Sequence, residues 1–253
     1  MKRPLVLLAN DDGHRARGLR LLREALGPHA DVIVCAPEVE QSAASHALSL
    51  HRPLRLYSHG EGVFSVDGTP ADCVYVALHG DTRVLPRRPD VLVSGVNHGV
   101  NLGDDVFYSG TVAAAREGAL KGIPALAISA ARDADLGAAA ELGARLTLAL
   151  AALAPGAALV NVNVPPGRDW PLRATRLGRR IYRDEVEFRH DPRGGEYLWI
   201  GGPGARHQPI SGSDTEAFDA GVVGITPLVL DLSDRSSGGL AEALAAALGA
   251  GQR

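Results

Sequence analysis

The apolar positions of this chain fall into two alternating textures. Short runs of aliphatic residues stand at Leu5–Ala9, Val32–Ala36, Val91–Ser94, Ala125–Ser129 and Ala158–Val164. Each is four to seven residues long and rich in Val, Ile and Leu, as strands buried on both faces of a parallel sheet are. Between them the spacing becomes helical: Leu19, Leu22 and Leu26 mark one apolar face, and Leu142, Leu146, Leu150 and Leu153 another. Alternation of this kind predicts an α/β fold, a doubly wound (Rossmann-like), mainly parallel sheet with helices on both faces. One stretch breaks the rhythm. From His46 to Asp67 the residues Leu48, Leu50, Leu54 and Leu56 share one parity, which predicts a β-hairpin inserted beside the sheet.

Beyond Val164-Pro165-Pro166-Gly167 the texture changes again. Residues 172–210 are rich in Arg, Gly and aromatics (Tyr182, Phe188, Tyr197, Trp199), with strand-like pieces too poor in aliphatics to build a core. They predict an extended β-arm, of the sort that packs on another subunit or over an active site. Val222–Leu230 reads as a returning strand, and Leu240, Leu244 and Leu248 mark a closing amphipathic helix. At about 150 residues per domain, 253 residues suit one large α/β core, residues 1–170, with a dependent arm, returning strand and C-terminal helix over 171–253. Aromatic ribbons and apolar helix faces need cover, so the arm and helix predict self-association into a homodimer at least.

Composition narrows the class. With 45% hydrophobic and 22% charged residues the chain can bury a large core, which excludes intrinsic disorder and a collagen-like or disulfide-built scaffold. A net charge of −3 disfavours a nucleic-acid duplex as partner but leaves a single nucleotide open. The two cysteines, Cys35 and Cys73, lie in apolar stretches and read as reduced core residues. The apolar run at the start is short and meets two aspartates, unlike an export signal. The largely apolar run Leu146–Val160 contains Pro155-Gly156 and is shorter than the roughly 20 residues a membrane span needs. A cytoplasmic protein with no membrane partner is the expectation.

Ligands of open α/β sheets bind beyond the carboxyl ends of the strands, where three polar segments of this chain fall. Asn10-Asp11-Asp12-Gly13 ends the first strand, and adjacent carboxylates beside an amide offer hard oxygen donors for Mg²⁺, Mn²⁺ or Ca²⁺. Taken alone, Asp-Gly is as readily a turn with a helix cap. The loop Ala36–His46 follows the second strand with several hydroxyls, and alone it would pass for an ordinary loop. The third segment runs Ser94-Gly95-Val96-Asn97-His98-Gly99-Val100-Asn101-Leu102-Gly103, then on to Ser109-Gly110-Thr111 and the helix Val112–Leu120. Its glycines permit tight turns and close backbone approach. Ser109-Gly110-Thr111 at the helix start is suited to a phosphate, through N–H groups, hydroxyls and the positive end of the helix dipole. A plain Ser or Thr cap competes with that reading.

Several familiar chemistries fail on the letters. The glycines fit neither G-x-x-x-x-G-K-[ST] nor G-x-G-x-x-G, and there is no G-x-S-x-G elbow. The acidic pair is not D-x-D, and no Cys stands in a phosphate loop. A non-enzymatic, Mg²⁺-binding receiver-like signalling module also ends its first strand in acidic residues. That module needs a Lys at the end of its fifth strand; the only lysines here are Lys2 and Lys121, and Lys121 precedes a strand.

Five blocks together resemble the survival protein SurE nucleotidases over nearly the whole chain. They are LLANDDG at the start, APEVEQSAASHALSL after the second strand, VDGTPADCV (66–74), SGVNHGVNLGDDVFYSGTVAAAREG (94–118) and SDTEAFDAGVVGITPL (213–228). The resemblance implies a divalent-metal-dependent phosphatase acting on nucleoside 5′- and 3′-monophosphates and short polyphosphate by metal-activated water, with one Mg²⁺ or Mn²⁺ per subunit. Its metal ligands fall on Asp11, Asp12, Ser42 and Asn97, with Asp11, Asp12 and Asn97 also the catalytic set; dimers or tetramers built by exchanged C-terminal elements are implied too. Departures are mild: Ala9 where Thr is common, Ala43 where Gly is common, and Val223-Gly224 where Val-Ser is frequent. Asn101, Ser109, Gly110 and Thr111 are then expected to hold the remaining phosphate oxygens, and His98 or His46 could assist proton transfer. Gly68-Thr69-Pro70-Ala71-Asp72 reads as structural, with Thr69 the cap and Pro70 the first helical residue.

Overall fold

A computed structural model describes residues 3–153, 156–182, 186–200, 204–234 and 238–249. Strands β1 (Leu5–Ala9), β2 (Asp31–Pro37), β3 (Leu56–Ser58), β4 (Val63–Val66), β5 (Val91–His98), β6 (Ala125–Ala130), β7 (Leu159–Val164), β8 (Leu172–Ala174) and β13 (Val223–Leu228) form one sheet in the order β3-β4-β2-β1-β5-β6-β7-β13-β8. The six strands from β4 to β7 are parallel, and their order is the doubly wound one, reversing between β1 and β5. β13 turns back antiparallel to β7, and β3 is antiparallel to β4.

Strand parity decides which layer each side chain joins. Val6, Leu8, Val91 and Val93 face α1 (Arg17–Leu26) and α4 (Leu136–Leu153), where Leu19, Leu22, Leu26 and Leu142 are buried. Leu5, Leu7 and Leu92 face α2 (Pro70–His79) and α3 (Gly110–Leu120), with Cys73, Val74, Val112 and Ala115. Each such side chain contributes about 1.5–3 kcal/mol when fully buried, so the core holds both layers firmly. Cys35 and Cys73 are buried and free. The cap of α2 is the expected one: Thr69 accepts from the Asp72 N–H, Asp72 accepts from the Thr69 N–H, and Pro70 opens the helix.

The inserted hairpin of residues 46–67 is present but shorter than expected. Leu56–Ser58 and Val63–Val66 pair antiparallel at the edge of the sheet, and β4 joins the main sheet by pairing parallel to β2. Leu48, Leu50 and Leu56 are exposed, and of the four leucines that share parity Leu54 packs against the core. The loop before β3 is also held by Asp72, which accepts from the Ser49 N–H at 2.9 Å.

The described residues between 178 and 210 leave the sheet. β9 (Arg180–Tyr182) pairs with β12 (Ala205–His207), and β10 (Val186–His190) with β11 (Glu196–Ile200), both antiparallel. α5 (Asp214–Asp219) leads back to β13, and α6 (Gly238–Gly249) closes the described chain.

Candidate active site

Asp11 follows β1 at the point where the strand order reverses, and its carboxylate is only 5% exposed. Thr111, at the start of α3, donates its hydroxyl to Asp11 Oδ1. Burial outweighs that bond and pushes the Asp11 carboxyl up to about 6; the neighbouring Asp12 adds to the rise. Asp12 is raised too, first by burial and then by Glu40, against a bond from the His98 N–H at 3.4 Å. Two adjacent carboxylates held in a desolvated place are what a cation relieves.

The helix start touches Asp11 closely. A Cβ on Gly110 would lie 2.8 Å from Asp11 Cβ and 2.9 Å from Oδ2, so only glycine lets α3 approach the carboxylate. Ser109 caps the helix by accepting from the Val112 N–H. The hydroxyls of Ser109 and Thr111, expected on a phosphate, are thus engaged with the helix and with Asp11.

β5 carries Asn97 to the same place through a bulge: Ser94 pairs with Ala127 but Asn97 with Ser129, so β5 has one residue more than β6 over this stretch. Gly95, inside the bulge, has φ +137° and backs onto Ile128 O, where a Cβ would come within 2.3 Å. The Gly95–Val96 peptide is cis. Asn97 Nδ2 donates to Gly99 O at 2.7 Å, leaving the amide oxygen as its outward acceptor.

Asn101 is clamped from below. Its N–H donates to Asn163 Oδ1 (2.8 Å), and its carbonyl accepts from Asn161 Nδ2 (2.8 Å) and Asn163 Nδ2 (2.9 Å). Its own Nδ2 donates to Ser129 Oγ at 2.8 Å, so one amide hydrogen remains for a ligand. Asp214 does similar work one turn on, accepting from the N–H groups of Gly103 (2.9 Å) and Gly178 (2.6 Å). It ties the loop after β5 to the root of the arm.

These elements enclose a cavity of about 680 Å³ whose lining includes Asp11, Asp12, Ser42, Asn97, Asn101 and Ser109. Ser42 donates to Glu40 Oε1 at 2.7 Å, which leaves its oxygen lone pairs available. Arg132, beyond β6, also lines the wall and makes no ion pair among the described residues. From the arm come Arg180, Tyr182, Val186 and Ile200. Arg180 and Tyr182 both reach Asp105, the Tyr182 hydroxyl donating at 2.6 Å, and this bond with burial raises the Tyr182 phenol. The histidines differ: His98 is exposed at the mouth, whereas His46 pairs with the buried Glu117 at 2.9 Å.

The sequence reading did not single out Arg132, Ser129, Asn161, Asn163 or Asp214. Asn161 and Asn163 did carry a signal: two amides on one face at the end of an apolar strand.

A doubly wound sheet with carboxylate and amide oxygens gathered at its switch point defines an α/β protein that handles its ligand beyond the carboxyl ends of its strands. The chain belongs to the family described as survival protein SurE, whose profile matches residues 6–184. A 5′-nucleotidase SurE of Sorangium cellulosum (strain So ce56) is 63% identical over 254 residues, covering 98% of each chain. One of Anaeromyxobacter dehalogenans (strain 2CP-C) is 54% identical, covering 89% of this chain and 90% of its own. Among solved structures, the SurE protein from Aquifex aeolicus matches with a TM-score of 0.82 at 34% identity, over 95% of this chain and 99% of that one.

Proposed function

We propose that this protein is a divalent-cation-dependent 5′-nucleotidase, releasing phosphate from nucleoside monophosphates. The observation that carries the reading is the convergence of Asp11, Asp12, Ser42 and Asn97 on one cavity at the switch point. The donor set fits a hard cation: two carboxylates, a hydroxyl oxygen and an amide oxygen, with Asp11 buried and no cationic side chain paired to it among the described residues. Mg²⁺ or Mn²⁺, one per subunit, suits that chemistry. When bound, it supplies positive charge against the phosphate oxygens and lowers the pKa of water.

The chain's own groups do the rest. Thr111 orients Asp11, Gly99 O orients the Asn97 amide, and Glu40 orients the Ser42 hydroxyl. The start of α3, the remaining Asn101 amide hydrogen and the Arg132 guanidinium hold phosphate oxygens. His98, at the mouth, is placed to exchange protons with the leaving group. Tyr108, Tyr182, Val186 and Ile200 line the same cavity and offer apolar surface for a nucleoside, which favours a nucleotide over bare phosphate. Nucleoside 3′-monophosphates and short polyphosphate fit the same phosphate site.

Self-association is part of the proposal. β10, β11 and α6 leave Phe188, Trp199, Ile200, Leu240, Leu244 and Leu248 exposed, and a second copy of the chain is the cover. The test of activity is phosphate release from a panel of 5′- and 3′-nucleotides with Mg²⁺ or Mn²⁺, with and without excess chelator. Release that survives chelation, or confined to non-nucleotide esters, overturns the reading.

A further inference from the structure

A second group of ligating atoms lies away from the carboxylate–amide centre and shares no residue with it. His14 stands between β1 and α1, Glu38 just past β2, and His59 in the turn from β3 to β4. The sheet order puts these three segments side by side. The His14 and His59 rings stack with centroids 4.2 Å apart and planes inclined by 14°. His14 Nδ1 lies 3.6 Å, and His59 Nε2 3.8 Å, from Glu38 Oε2. The three donor atoms all fall within 4.8 Å of one another.

The decisive observation is His14. Its side chain is only 5% exposed, its Nδ1 faces Glu38, and that nitrogen has no hydrogen-bond partner among the described residues. Buried polar atoms without partners are uncommon and costly, so this one is either a standing penalty or a ligand in waiting. Its main chain is fixed, since the His14 N–H donates to Pro37 O at 2.9 Å.

We propose that His14 Nδ1, Glu38 Oε2 and His59 Nε2 form a second cation site, selective for Zn²⁺. Two imidazoles and one carboxylate are borderline donors, the set that Zn²⁺ takes with water as fourth ligand; hard Mg²⁺ prefers oxygen. With ligands at about 2.0–2.1 Å, a tetrahedron has an edge of about 3.3–3.4 Å. The observed 3.6 and 3.8 Å separations from Glu38 are close to that edge, while the two nitrogens, within 4.8 Å of each other on stacked rings, meet one ion once the His59 ring turns out of the stack, which the exposed turn at His59 allows. Glu38 and His59 are each about a third exposed, leaving the fourth position open to water. Binding displaces the present contact of His59 Nε2 with Ser65 Oγ, whose hydroxyl stays on Glu38. It also moves the exposed Arg15 from His14 Nε2, so that this nitrogen can carry the ring proton. The ion would clip the β3–β4 turn to the segment that follows Asp11 and Asp12.

The test is Zn²⁺ binding to the untagged full chain by titration calorimetry. The background is the Asp11→Asn, Asp12→Asn double variant, which removes the carboxylate centre. That variant should still bind one equivalent of Zn²⁺. Adding His59→Ala or Glu38→Gln should weaken binding by at least the 10–100-fold that loss of even an outer-shell partner produces, while His51→Ala should not. Co²⁺ should show the intense visible absorption of tetrahedral coordination in the double variant and lose it with His59→Ala. Should the double variant not fold, the wild type should bind one equivalent more than its His59→Ala form, with nucleotidase turnover in Mn²⁺ equal in the two. Equal Zn²⁺ stoichiometry and affinity with and without His59 overturns the site.

Discussion

At the ends of β1, β5 and β7 polar side chains enter the sheet and find partners inside it: Asp11 with Thr111, Asn101 with Ser129, Asn161 and Asn163. In the ribbon of β10 and β11, which reaches the same cavity through Val186 and Ile200, all ten residues are exposed. The floor of the site is fixed by burial on both faces and by hydrogen bonds with no water to compete for them. The ribbon is fixed only by its ladder and by cross-strand pairs such as Phe188 with Leu198, and a lone two-stranded ribbon is marginal in water. A cavity with one rigid and one weakly anchored wall can hold a cation tightly while adapting to what the cation holds.

That contrast can be broken most sharply at the floor. Asp11→Asn should lower turnover by roughly a hundredfold or more, given the several kcal/mol that a bound cation contributes to charge stabilisation. The same variant should not be less stable. The folded-state pKa of Asp11 lies near 6 against an ordinary 3.8. The ionised group therefore disfavours the folded state above about pH 6 by roughly 3 kcal/mol at most, and that penalty vanishes below about pH 4. In excess chelator, then, Asp11→Asn should melt higher than the wild type at pH 7.5, and the gap should close as pH falls toward 4. Thermal melts across pH decide it; a lower melting point at pH 7.5 would mean the carboxylate stabilises the fold.

Next in size is the clamp. Asn163→Ala removes two bonds to Asn101 and strands a buried N–H, at a cost of about 2–4 kcal/mol in chemical denaturation, with a fall in kcat. The ribbon should behave oppositely. Trp199→Glu with Phe188→Glu should change the stability of a monomer by about 0.5 kcal/mol or less, yet reduce the mass seen by light scattering toward the single-chain 26.4 kDa. A wild-type chain already monomeric at micromolar concentration would remove the proposed role of the ribbon.

The smallest effect is expected in the loop that carries Ser42. Ala43 has φ +59°, in the left-handed region, where an L-residue with a Cβ is disfavoured by about 1–2 kcal/mol. Ala43→Gly relieves that but loosens the unfolded chain by about 0.4–1 kcal/mol, so a net gain of about 0–1.6 kcal/mol should appear in denaturant melts.

How far the sequence could be read follows from the same physics. Buried parallel strands leave continuous aliphatic runs, so β1, β2, β5, β6 and β7 are legible within a few residues. β8, β9 and β12 are three residues each and leave no periodicity. The leucines from 48 to 56 overstate the length of the hairpin, because parity signals burial only where a face meets a core, and here Leu54 does while Leu48 and Leu50 stay exposed. At the site, Asp11, Asp12, Ser42 and Asn97 could be chosen from the motif blocks, and the structure brings them to one cavity. The hydroxyls of Ser109 and Thr111 could not be assigned from letters alone, because capping and anion binding ask for the same residues at the same helix start. Asn161 and Asn163 sit inside an apolar run, and their importance lies in what they reach across the sheet.

The amide clamp has one further consequence. Asn101, Asn161, Asn163 and Ser129 carry no net charge at any pH the fold survives. At Asn101 the loop that frames the cavity is thus anchored without adding to the negative potential that Asp11, Asp12 and Glu40 create, and without offering an incoming ion a rival place to bind; the carboxylate anchor, Asp214, holds the loop farther on, at Gly103. A carboxylate at any of those four positions could make bonds of similar strength, but it would titrate and would divide the cation between two locations. Electrically silent anchors at Asn101 let the backbone beside Asn97 ignore changes in acidity while the carboxylates of Asp11 and Asp12 set the field of the site.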